Sequence, residues 1–115
     1  MVSAEQRFEG REVLVNHHVD IHTLKARFEG KMDLLERLIQ EFSRSVHRVI
    51  PALRADLEDK NLENLEENAH TLKGNAALIG ARYASELALS MERASSQGDM
   101  HTLESTLPQL EQEAE

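Results

Sequence analysis

Residues 33–57 read DLLERLIQEFSRSVHRVIPALRADL, with apolar side chains at Leu34, Leu35, Leu38, Ile39, Phe42, Val46, Val49, Ile50, Leu53 and Leu57. Steps of three and four are the period of an α-helix that buries one face, so this stretch predicts a long amphipathic helix. Pro51 falls inside it. A proline there removes one backbone hydrogen bond and crowds the preceding turn, which predicts a kink near residues 47–50 rather than an end. The polar run 58–61 predicts a turn, and Asn61 offers an N-cap to whatever helix follows.

That next helix carries the chemistry. Residues 62–80 read LENLEENAHTLKGNAALIG. At about 100° per residue, Leu62, Leu65, Ala69, Leu72, Ala76 and Ile79 fall on one side and form the core face. His70 then points roughly 135° away from the centre of that stripe, toward water. Its helical neighbours are Glu63, Glu66, Glu67, Lys73, Gly74 and Ala77. Gly74 is out of place by propensity, since glycine inside a helix costs roughly 1 kcal/mol relative to alanine. Access offsets that cost: Gly74 and Ala77, within two turns of His70, leave the imidazole open to a second macromolecule, and Lys73 can place an ammonium beside an anion on the ring.

His70, Leu72, Lys73, Gly74 and Gly80 together resemble the signature of histidine-containing phosphotransfer (HPt) domains. In that family a helix-borne histidine carries a phosphoryl group between the aspartates of receiver domains. The resemblance extends over about residues 20–115 and implies His70 as phosphoacceptor and Lys73 as the group that stabilises the phosphoryl. Glu66, Glu67, Gly74 and Ala77 are then the expected docking surface. One departure is Asn75, where many members have a small serine; the helical projection puts it off the His70 face.

Composition is consistent with this reading. The chain of 115 residues is 40% hydrophobic but only 3% aromatic, so one core must be built from aliphatic residues, which suits packed helices. A formal charge of −8 opposes nonspecific binding to nucleic acid or anionic membrane. The absence of cysteine excludes disulfides, thiolate metal sites and thiol catalysis. No apolar run approaches the roughly 18 residues of a membrane span, and the amino terminus lacks the layout of a signal peptide; a cytoplasmic protein, or a cytoplasmic piece of a larger one, is expected.

The remaining chain supplies the other helices. Residues 1–18 read as a loosely ordered lead-in and 19–115 as the helical bundle of a single HPt domain. Asp20 offers a cap ahead of Ile21, Leu24 and Phe28, and Gly30 a stop, so a short helix is expected to cover one end of the bundle. Gly80 closes the His70 helix. The next is expected over residues 82–97, with Tyr83, Leu87, Met91 and Ala94 inward. Gly98 and Asp99 are a stop and a cap before a last helix from Met100, which places Leu103, Leu107 and Leu110 inward and contains Pro108 as a distortion. Four long helices joined by short turns predict an all-α, antiparallel up-and-down four-helix bundle with a short additional N-terminal helix.

An exposed imidazole is largely neutral near pH 7 and keeps a free lone pair, a competent nucleophile toward phosphorus. The chain has no glycine-rich phosphate loop and no compact acidic cluster beside His70 arranged for magnesium, so no kinase activity or ATP site of its own is expected. No cofactor is expected on the chain; by the resemblance, magnesium comes with the partner. The partners implied are receiver domains, those of hybrid sensor kinases among them, and the carrier is expected to be a monomer. The dimerisation and phosphoacceptor domain of a sensor kinase fits less well, because Thr71 stands where that family usually has an acidic residue and no proline lies between His70 and Gly80. A different class, a non-enzymatic adaptor or metal-binding helical bundle, leaves His70 incidental. His18 and His22 are four apart and, with His17 and Asp20 adjacent, could share a transition metal, but two imidazoles do not close a site. His47 and His101 have no evident partners.

Overall fold

The computed structural model describes residue 19 and residues 21–113. Among them are five helices and no strand: α1 (Ile21–Arg27), α2 (Met32–Glu58), α3 (Leu62–Leu78), α4 (Arg82–Gln97) and α5 (Met100–Glu113). Consecutive long helices are neighbours, α3 and α4 form the most extensive pair, and α5 closes the ring against α2. This is the expected antiparallel four-helix bundle with a short helix ahead of it. The lead-in expected over residues 1–18 lies outside the described residues.

The turns follow from their residues. Lys60 adopts a positive φ of 56° after the last turn of α2, and the Asn61 N–H donates back to the Asp56 carbonyl at 2.8 Å. Asn61 caps α3 as its sequence predicts, its side-chain oxygen accepting the Asn64 N–H at 3.2 Å. Gly80 takes φ +78°, a conformation that favours glycine, and the Ala81 N–H reaches the Ala76 carbonyl at 2.9 Å, closing α3. Asp99 starts α5 by accepting both the Thr102 N–H at 3.1 Å and the Thr102 hydroxyl at 2.6 Å. Both prolines lie within helices that continue past them, α2 through Pro51 to Glu58 and α5 through Pro108 to Glu113.

The core is aliphatic. Leu35, Phe42, Leu53, Leu65, Leu72, Ile79, Met91, Leu103, Leu107 and Leu110 have no exposed surface. Leu24 of α1 is buried with them, Val19 and Phe28 pack against the cluster, and the Arg27 guanidinium donates to the Leu78 carbonyl at the end of α3. α1 therefore covers the end of the bundle where α3 turns into α4. Polar ties fix the helices laterally. The buried Asp56 carboxylate of α2 accepts the side-chain amides of Asn64 at 3.0 Å and Asn68 at 2.9 Å, and Arg54 forks onto Glu111 of α5.

Two expected core positions are not core. Leu34 is 41% exposed and Tyr83 is 42% exposed. Leu34 sits on the outer edge of the α2 stripe, whose centre is held by Leu35, Ile39 and Phe42. Tyr83 sits beside the inner ridge of α4, which Ala84, Ala88 and Met91 form instead, and its hydroxyl donates to Gln109 Oε1 at 3.2 Å across the rim. Leu87, the other position beside that ridge, is only half-buried.

Leu72 is fully enclosed beneath the exposed face of α3. Leu72→Ala is expected to lower the unfolding free energy by about 2–5 kcal/mol through lost burial and the cavity left behind. Denaturant unfolding followed by circular dichroism measures this, and a loss below ~1 kcal/mol would mean that the site helix is not anchored there.

Candidate functional site

Five buried residues place α3 against α4. Leu65, Ala69, Leu72 and Ala76 of α3, with Ile79 just after its end, are all fully buried. Ala84 and Ala88 face them from α4, and such small side chains let two helices approach closely. The Ser85 hydroxyl donates to the Lys73 carbonyl at 3.4 Å across the same seam. This packing turns His70 outward, as the helical projection requires; its side chain is 69% exposed.

The close approach also brings in a residue that the spacing within α3 could not reveal. Glu92 of α4 lies behind the imidazole with both carboxylate oxygens near His70 Nδ1, at 3.0 and 3.2 Å. The same two oxygens accept from Lys73 Nζ at 2.8 and 3.0 Å. Glu92 is only 17% exposed and Lys73 27% exposed, so the pair sits low in the surface while the imidazole stands above it. The hydrogen bond from Lys73 is the largest influence holding the Glu92 carboxyl below the ordinary glutamate range; burial opposes it, and the hydrogen bond from His70 adds to it.

That geometry decides the tautomer. An ionised carboxylate can only accept, so Nδ1 must carry the proton and donate to Glu92. In the neutral ring the lone pair is then on Nε2, at the far side of the imidazole from Glu92. The arrangement orients one nucleophilic nitrogen outward and places a negative charge where the ring would become positive on attack.

The other predicted positions divide around His70. Glu66 is half-buried and Glu67 exposed, and both line an open depression with Glu63, His70, Thr71 and Glu92. On the opposite side Gly74 and Ala77 are exposed, and a Cβ built on Gly74 would meet nothing within 4 Å. Exposed Leu78 extends this uncharged surface. Asn75 lies off the face, its side-chain amide donating to Ser45 of α2 at 2.6 Å.

The remaining histidines fall elsewhere. His47 Nδ1 contacts the Ser43 carbonyl one turn back in α2 at 2.7 Å, a partner its sequence did not suggest. His101 is exposed at the start of α5. His17 and His18 lie outside the described residues, and among the described ones no three of His, Asp or Glu form a group able to hold a metal. Nor, among those residues, is any helix long and apolar enough to cross a membrane.

Fold and site together define an all-helical bundle that presents one imidazole to solvent with an ionised carboxylate at its back. A family model described as the Hpt domain matches residues 37–115, from within α2 through the end of the chain. This is more than half of the sequence, and the chain belongs to the Hpt domain family, the histidine phosphotransfer domains that work with receiver domains in phosphorelays. No curated protein and no solved structure is significantly similar to it.

The Glu92–Lys73 pair makes stability depend on pH. Because the folded-state pKa of Glu92 is lowered, its contribution is complete above the ordinary glutamate value and is lost as pH falls through the lowered one. The gap in unfolding free energy between wild type and Glu92→Gln is expected to be about 1 kcal/mol at neutral pH and to close in acid. Urea titrations across the pH range measure it, and a gap that stays constant would contradict the ionic pairing.

Proposed function

We propose that this chain is a phosphorelay carrier in which His70 Nε2 accepts a phosphoryl group from a receiver aspartate and returns it to the aspartate of another receiver. The observation that carries this reading is the Glu92–His70 contact, which leaves Nε2 as the outward lone pair in a chain of the Hpt family. In the forward step Nε2 attacks phosphorus, a P–N bond forms, and the P–O bond to the receiver's aspartate breaks. The electron pair leaves with the aspartate carboxylate. The ring, still protonated on Nδ1, becomes positive and is stabilised by Glu92. Attack by a second aspartate carboxylate reverses these events. The receiver supplies magnesium; this chain supplies the nucleophile, the counter-charge and the surface.

Lys73 has a second task in this scheme. Its ammonium is tethered to Glu92 within one helical turn of His70, close enough to turn toward the arriving phosphoryl oxygens. Gly74 and Ala77 keep that side low so that the receiver can bring its aspartate to the ring. The chain works as a single cytoplasmic bundle, with receiver domains, including those of hybrid sensor kinases, as partners.

Incubation with a phosphorylated receiver and magnesium is expected to label wild type with acid-labile, base-stable phosphate and to leave His70→Gln unlabelled. Lys73→Ala should slow labelling by about tenfold, the scale of one charge-assisted hydrogen bond. Label on a different histidine, or none on a folded wild type with several receivers, would favour an adaptor role in which His70 is incidental.

Gly74 separates stability from access. Gly74→Ala should raise the unfolding free energy by about 0.5–1 kcal/mol, because the added methyl meets open space. Gly74→Gln should fold equally well yet accept phosphoryl more slowly. Equal transfer rates for the two variants would show that this side of His70 is not approached.

A further inference from the structure

The two sides of α3 are held in different ways. Toward α4 the seam is made of buried alanines, Ala69 and Ala76 against Ala84 and Ala88, with one long hydrogen bond from the Ser85 hydroxyl to the Lys73 carbonyl at 3.4 Å. Apolar contact of this kind is non-directional, so it sets how near the helices lie and resists rotation only weakly. Toward α2 the seam is polar and directional. Asp56 Oδ1 accepts from Asn64 Nδ2 at 3.0 Å and Oδ2 from Asn68 Nδ2 at 2.9 Å, while the Ser45 hydroxyl accepts from Asn75 Nδ2 at 2.6 Å. At about 100° per residue the three asparagines fall on one line of α3, and His70, between Asn68 and Asn75 in the chain, projects roughly 140° around the helix from Asn75.

Asp56 has the most demanding place in this seam. It is 8% exposed, and both of its donors are neutral amides. Closing the turn into α3 takes only its backbone carbonyl, which accepts the Asn61 N–H at 2.8 Å and could belong to any residue. For stability alone an apolar side chain serves a buried site as well as a carboxylate does. What the carboxylate adds is a grip on two successive turns of α3 from a fixed direction. A side-chain tip lies roughly 5–6 Å from its helix axis, so turning α3 by about 15° shifts that tip by about 1.5 Å. Such a shift breaks the contacts of 3.0 and 3.2 Å between His70 Nδ1 and Glu92.

Resting on the phosphotransfer reading above, we infer that Asp56 is a positioning residue for His70. Its clamp on Asn64 and Asn68 sets the rotation of α3, and that rotation brings Nδ1 onto Glu92 and leaves Nε2 as the outward lone pair. The alanine seam fixes the distance between α3 and α4; the Asp56 clamp fixes the angle at which the imidazole meets its carboxylate.

The test replaces the clamp by apolar contact of similar volume, Asp56→Leu/Asn68→Leu, in the full chain; exposed Asn64 then turns to water. The variant should unfold cooperatively, with a midpoint no lower than that of wild type. Imidazole 15N shifts should report the Nδ1–H form of His70 in wild type and a move toward the Nε2–H form in the variant, the direction also given by Glu92→Ala. Transfer from a phosphorylated receiver in magnesium should slow about tenfold. Introduced into Glu92→Ala, the same two leucines should change the rate by no more than about twofold, because the contact they act through is already gone. A folded variant that keeps the wild-type Nδ1–H signature, or leucines that slow transfer equally in both backgrounds, overturns the positioning role and leaves Asp56 a packing residue. No label on folded wild type removes the phosphotransfer reading instead, and the 15N comparison, which needs no receiver, still decides whether Asp56 orients the ring.

Discussion

The distance between α3 and α4 governs what His70 can do, and alanines set that distance. Ala69 and Ala76 on one side, with Ala81, Ala84 and Ala88 on the other, are all buried to within 2% of full enclosure. Each contributes little apolar area, at about 25 cal/mol per Å² far less than a leucine. What they contribute is proximity. A larger side chain at Ala88, one turn before Glu92, would wedge the helices apart and lift the carboxylate away from the imidazole. The large residues that dominate burial, Phe42, Leu53, Leu103, Leu107 and Leu110 among them, lie mostly in α2 and α5, while Leu65 and Leu72 anchor the site helix itself.

Glu92 shows why a shared carboxylate is a good solution at this position. A carboxylate only 17% exposed loses much of its hydration and needs donors in return. Lys73 provides a full charge and His70 Nδ1 a second donor, so protein groups satisfy the anion. The same pairing fixes the ring orientation, the protonated nitrogen and the resting place of the lysine. One residue on a neighbouring helix thus organises two on α3.

Most of the fold was legible because it depends on properties internal to each helix. The three-and-four spacing in residues 33–57, Asn61 as a cap, Gly80 and Gly98 as stops and Asp99 as a start all act within a few residues of themselves, and each is found where its chemistry puts it. His70 could be placed on the solvent face for the same reason. Leu34 and Tyr83 were misread because spacing gives the side of a helix but not how far the neighbouring helix reaches around it. Glu92 was invisible for a related reason. Its only local sign is that it follows the core residue Met91 at the border of the inner face of α4, a place shared by many surface glutamates.

The histidine and its carboxylate are separated by 22 positions in the chain, across a single hairpin of two adjacent helices. Loop-closure entropy rises only slowly with length, and contacts this local are among the quickest to form. Nothing in the His70–Glu92–Lys73 cluster has to wait for α5 to dock, although the leucines of α5 finish the core. The reactive centre is therefore a property of one helical hairpin. The outer helices can drift in sequence, so long as they keep an apolar face and α2 keeps the Asp56 and Ser45 ties to α3, without disturbing the geometry on which the imidazole depends.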